Sequence, residues 1–246
     1  MNIESVTPLV ILKKERLSIG EMATLVVNFY KKFAAVDSGY NQLSIVSEKK
    51  SVYQSIDIHD VDAISFLAEE IINQNIEDIR KRNNVDKVDF NFSRENMISF
   101  SLAPAKDPES LMGLSHSFST MLPRIGPIIV NQDCLNSYSK AKWFLETARE
   151  SFSVDSAVIK VSTKNLRDIS RKYHAPLNWI NYFSDDGEWQ IPDDLEGFEY
   201  EKVEGGKYLI LSRDYIGSDS GRFEAATKKL AQRMEELGER VPGYKK

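Results

Sequence analysis

Asp37, Glu48 and Lys50 follow one another in the order Asp, Glu-x-Lys. That is the order in which two carboxylates hold a hard divalent cation while a lysine steadies the attacking water of a metal-dependent nuclease. The pattern is short, and 37 acidic and 32 basic residues give it many chances to arise without meaning, so a solvated loop is the simpler account. His59, His116 and His174 stand far apart with no local partner pattern, which reads as structural or surface roles. Cys134 is the single cysteine. It would be a nucleophile only if the fold brought a histidine beside it, and otherwise it is a small apolar filler. One cysteine also excludes an intramolecular disulfide and leaves a thiolate zinc site short of ligands. The sequence holds no G-x-S-x-G elbow, no phosphate loop ending Gly-Lys-Ser/Thr, no G-x-G-x-x-G and no H-E-x-x-H. A chain without catalytic residues, cofactor or metal is the expectation.

A different kind of chemistry is suggested by NWINYFSDDGEWQIPDDLEGFEYEKVE, residues 178–204. It contains two of the three tryptophans, and from Asp185 to Glu204 it holds nine carboxylates against one lysine. In the part NWINYFS both faces of a strand would carry rings, as in a strand covered on both sides, and a core position is the simplest account of Trp179. Beyond it Gly187, Pro192 and Gly197 punctuate a loop, and loops run over the surface. Trp189 is then either a ring folded back on the core or an aromatic anchor in a contact, with carboxylates at its rim raising the encounter rate. So large a local excess of negative charge fits a basic partner. The candidate contact residues are Asp185, Asp186, Glu188, Trp189, Asp193, Asp194 and Glu196.

These residues have to be positioned by regular elements. Ser18-Ile19-Gly20-Glu21 has capping-box form, and Ile19, Met22, Ala23, Val26, Phe29, Tyr30 and Phe33 follow at helical spacing, up to a stop at Asp37-Ser38-Gly39. A second helix is predicted from Asp60, with Val61, Ile64, Ala68, Ile71 and Ile72 inward. Alternation predicts a strand over Val52, Gln54, Ile56 and Ile58, and a hairpin of 88–92 with 98–102 around Ser93 to Asn96. In the second half the pattern gives strands at 128–130 and 158–161, a helix through Tyr138, Ala141, Leu145 and Ala148, and a short helix over Leu166, Ile169 and Tyr173. Gly205-Gly206 should turn a hairpin between 198–203 and 207–212. A last helix is expected through Phe223, Ala226, Leu230, Met234 and Leu237, capped by Gly238. Strand meanders interrupted by helices predict an α+β fold of mostly antiparallel, mixed sheet flanked by helices. We read one domain over 1–246, with the proline-bearing stretch 103–110 as the candidate junction between two lobes.

With 246 residues, 41% of them hydrophobic and 28% charged, the chain is an ordinary folded globular one. No run approaches the length of a membrane span, the short apolar run Leu9 to Leu12 is followed by its basic residues and has no small-residue cleavage site as a signal peptide would, and cytoplasmic residence is expected. A net charge of −5 argues against direct binding to nucleic acid through phosphates.

Three stretches carry a family likeness: SIGEMATLVVNFYKKFAAVDSGYNQLS near the start, then APLNWINYFS and EGGKYLILSRDYI near the end. They resemble the immunity proteins of bacterial polymorphic toxin systems, in particular the immunity protein 52 family. The resemblance implies a cytoplasmic antitoxin encoded beside a secreted effector, of a kind delivered by type VI secretion. Such a protein binds the toxin domain, often a nuclease of restriction-endonuclease type, and protects the producing cell from itself and its siblings. It implies no catalytic residues. The expected partner is therefore a cognate toxin with a basic surface. The two rival readings are a metal-dependent nuclease-like hydrolase using Asp37, Glu48 and Lys50, and an adaptor or secretion chaperone.

Overall fold

The computed structural model describes residues 5–15, 17–46, 54–83, 97–105, 112–119, 123–129, 132–162, 178–187 and 198–214, together with 225, 228, 229 and 232. The chain divides into two compact units, one made of Ile11–Asn131 and Thr147–Ser153, the other of Met1–Val10, Gln132–Glu146 and Val154–Lys246.

The first unit is built on helix α1 (Ile19–Val36), which opens as its sequence predicts. Glu21 N–H donates to the Ser18 hydroxyl at 3.2 Å and Ser18 N–H donates to the Glu21 carboxylate at 2.7 Å, satisfying two amides that the first turn leaves open. Its apolar stripe is buried from Ile19 to Phe33. A 3-10 turn, Ser38–Tyr40, follows, and five strands then lie in the order β3-β2-β4-β5-β6: β2 (Gln42–Val46), β3 (Gln54–Asp57), β4 (Met97–Pro104), β5 (Gly113–Ser119) and β6 (Arg124–Ile129). All four pairings are antiparallel.

Two expectations, the start of the second helix and the burial of Val61, are corrected here. Helix α2 is Ala63–Asn83 and begins after Asp62, because Asp60 is spent on a turn in which its side chain accepts from Asp62 N–H at 3.1 Å. Val61, expected inside, is 91% exposed in that turn. The strand carrying Ile98, Phe100 and Leu102 exists as β4, but its described partners are β2 and β5; the expected partner, 88–92, lies outside the described residues. Period-two alternation reports a strand and not its neighbour. The candidate junction also acquires a location: Ala103 and Pro104 end β4, and the chain on both sides of 103–110 belongs to the first unit.

The second unit carries strands in the order β1-β7-β8-β10-β9: β1 (Ser5–Leu12), β7 (Val154–Ser162), β8 (Ile180–Ser184), β9 (Glu199–Val203) and β10 (Gly206–Ile210). The registers of β7 with β8, β8 with β10 and β10 with β9 are antiparallel. Helix α3 (Tyr138–Ser151) begins in this unit, after a 3-10 turn over Gln132–Leu135, and buries Ala141, Phe144 and Leu145. The protein is thus an α+β fold of antiparallel strands with flanking helices. The helix expected over Leu166 to Tyr173 and nearly all of the expected final helix lie outside the described residues.

Candidate functional site

Strand β8 is buried along its whole length, which accounts for the rings on both of its faces. Trp179, just before it, is completely buried and donates its indole N–H to the Ser212 carbonyl at 2.9 Å, so it is a core residue. Asn181 is also buried, donating to the Asn178 carbonyl at 2.8 Å while its own amide oxygen accepts from Asn178 N–H at 2.9 Å. A polar side chain this deep is tolerated because both ends of its amide are satisfied.

The register then fixes where the acidic segment leaves and rejoins the sheet. Gly206 of β10 stands opposite both Ser184 of β8 and Val203 of β9, while Ile210 stands opposite Ile180 and Glu199. Strands β8 and β9 therefore run in the same direction on the two sides of β10. Asp185 departs at one end of β10, and Glu199 begins β9 at the other.

At the departing end two turns are tied together. Asp185 N–H donates to the Gly205 carbonyl at 3.1 Å, Gly187 N–H donates to the Ser184 carbonyl at 3.2 Å, and the Ser184 hydroxyl donates to the Asp186 carboxylate. The Tyr182 hydroxyl donates to the same Gly205 carbonyl at 3.1 Å. Gly205 has φ +74°, the left-handed value that a two-residue hairpin turn demands. Asp185, Asp186 and Glu204 are exposed on this corner. None of the three is without interactions of its own.

At the rejoining end the carboxylates are held by cations from elsewhere in the chain. Arg213 Nε donates to both oxygens of Glu199, at 2.8 and 2.9 Å, and Nη2 donates to one of them as well. The guanidinium lies 5.4 Å from the centre of the Tyr138 ring. Lys142 donates to Glu201, stands 3.5 Å from Glu146 one helical turn on, and lies 5.5 Å from the centre of the Tyr208 ring. The Arg213 hydrogen bond holds the Glu199 carboxyl below its usual range, and the same bond raises Arg213. Burial by itself would lower Lys142, but the hydrogen bond to Glu201 and the neighbouring charges raise it above its ordinary value.

Of the seven candidate contact residues, Asp185 and Asp186 are placed on the exposed corner, whereas Glu188, Trp189, Asp193, Asp194 and Glu196 lie outside the described residues. Two of the segment's nine carboxylates, Glu199 and Glu201, are paired with cations of this chain, so not all of its excess charge is left for a partner. Their partners come from 14 and 59 residues away, beyond the reach of local reading.

The catalytic alternatives fare as follows. Asp37 has a structural task, its carboxylate accepting from Gly39 N–H at 2.8 Å to cap the 3-10 turn. Glu48, Lys50 and His174 lie outside the described residues. His59 is exposed and pairs with Asn41 at 3.1 Å, Cys134 is half-buried, and His116 is sealed among aromatic rings. No helix among the described residues is long and apolar enough to cross a membrane.

No protein-family model matches the chain, and no curated protein sequence matches it. Among solved structures the chain is similar to a Pseudomonas aeruginosa protein described as T6SS protein PA0821, with 7% sequence identity and a TM-score of 0.49, over 92% of this chain and 73% of that one. At that identity and score the likeness says nothing about function. The three stretches likened to the immunity protein 52 family therefore have no family match behind them.

Proposed function

We propose that this chain is a non-enzymatic immunity protein, which neutralises a cognate toxin domain by binding a basic surface on it. The observation that supports the reading best is the corner at the end of β8. A wholly buried strand delivers the exposed Asp185 and Asp186 to a turn hydrogen-bonded to a second turn bearing exposed Glu204. Carboxylates on a rigid mount lose little freedom on binding, and their charge speeds encounter with a cationic partner. The sequence resemblance supplies the class of partner. The contact takes in Asp185 and Asp186 and continues into the segment with Glu188, Trp189, Asp193, Asp194 and Glu196. A standard interface buries about 800 Å² on each side, so this segment is one part of it. The test is co-expression in sensitive cells with the toxin domain encoded beside this chain. Survival with the intact chain, together with a stable complex of the two purified proteins, is expected. Improved export of the toxin without survival would establish a chaperone instead, and cleavage of plasmid by this chain alone with magnesium or manganese would establish a nuclease.

A further inference from the structure

The acidic segment rejoins the sheet at β9, a strand of five residues that is the last in its sheet and has β10 as its described partner. Short terminal strands are where sheets open first. Glu199 is the first residue of that strand, and it is the residue that Arg213 grips with a forked hydrogen bond. Two positions on, Glu201 projects from the same face, opposite Tyr208, and Lys142 takes it from α3. Arg213 and Glu199 keep 59% and 43% of their side chains exposed, a setting in which one ion pair contributes little to global stability. Their forked geometry and the rings beneath both cations make this a network rather than an isolated pair. It joins three separate parts of the chain, α3, β9 and the residues after β10, at the place where the segment ends. The departing end is held independently, by the Asp185 to Gly205 and Gly187 to Ser184 bonds.

We propose that Arg213 and Lys142 are positioning residues for the toxin contact: through Glu199 and Glu201 they fasten β9, and toxin binding depends on that fastening. The proposal rests on the functional reading above and adds the two cations to its machinery, acting through the carboxylates they hold. Because the Arg213–Glu199 grip is exposed and the Lys142–Glu201 pair is half-buried at one edge of the sheet, loss of both should open that edge without unfolding the unit.

The test compares the intact chain with Arg213→Gln/Lys142→Met, with the conservative Arg213→Lys, and with the exchanged pair Glu199→Arg/Arg213→Glu. Three readings are taken on each: thermal unfolding, amide hydrogen exchange at Glu199–Val203 without toxin, and dissociation of the inactivated toxin domain encoded beside the chain. Binding to poly-L-lysine, which reads net charge and not placement, is the control. In the double variant unfolding should stay within about two degrees, while exchange across β9 and dissociation of the toxin domain should each become about ten-fold faster. Binding to poly-L-lysine should be undiminished, since the variant is the more negative protein. Arg213→Lys, keeping the charge without the fork, should fall between, and the exchanged pair should recover most of the protection. Unchanged exchange, or faster exchange with an unchanged dissociation rate, overturns the positioning role. A wild type that never binds the toxin domain overturns the functional reading and this role with it. That failure is distinct, because exchange is read with no toxin present.

Discussion

His116 is fully buried, stacked on Phe100 with ring centres 5.3 Å apart and met by Phe29, Tyr30 and Phe152. Its Nε2 lies 3.5 Å from the Tyr30 hydroxyl, and Nδ1 meets no hydrogen-bond partner among the described residues. Burial pushes its pKa down to about 3 from 6.5, so the ring is neutral in the folded chain. The unfolded chain takes up this proton first, and stability is therefore fully present above about pH 6.5 and is lost as the pH falls toward 3. At pH 5 the loss should be roughly 2 kcal/mol. In His116→Phe the difference between urea unfolding at pH 7.5 and at pH 5 should shrink by about that amount. An undiminished difference would show that other groups govern the acid limb. The sequence indicated a structural or surface histidine, since no partner pattern surrounds it. The box of rings was not legible, because its members come from α1, β4 and the residue that follows α3.

Among the elements, the β9–β10 hairpin shows why two adjacent glycines have different tasks. Gly205 holds the positive φ, with nothing close to where a side chain would go. Gly206 is already part of β10, and a Cβ on it would lie 2.4 Å from the Phe183 carbonyl oxygen, a backbone atom that cannot step aside. Gly205→Ala should cost about 1 kcal/mol and Gly206→Ala about 3 kcal/mol in urea unfolding. The reverse order would mean that the turn, and not the approach of β8, sets the requirement. The pair was readable in the sequence as a turn, but only β8 lying alongside β10 explains the second glycine. Helix α1 was legible almost in full, because its cap and its stripe are both local, whereas α2 starts later than its pattern suggested because Asp60 competes for the turn.

For the molecule as a whole, the consequence of a −5 net charge with an exposed acidic corner is kinetic. Reversing Asp185 and Asp186 to lysine should slow association with the toxin domain by about ten-fold at low salt and change it little near 0.5 M salt, measured by stopped flow. Both residues follow β8, and Asp186 accepts from the buried Ser184 hydroxyl, so thermal unfolding of the variant is measured beside the rate to separate lost charge from a loosened corner. An association rate indifferent to these charges at low salt would remove the corner from the interface.

What the sequence determined unaided is the local part: an α+β chain, the cap and buried face of α1, the strand at β8 with its core tryptophan, and the hairpin turn at Gly205. Each is written within a few residues, in the reach of a hydrogen bond along the backbone or one repeat of a helix or strand. What only the tertiary structure decided is partnership: β4 between β2 and β5, β8 and β9 running alongside each other on the two sides of β10, and Arg213 and Lys142 closing on Glu199 and Glu201. A charge count along the chain sums every carboxylate with its sequence neighbours. An ion pair depends on distance in space, and folding brought these cations from α3 and from beyond β10 to within hydrogen-bonding distance of a segment that looked unmatched.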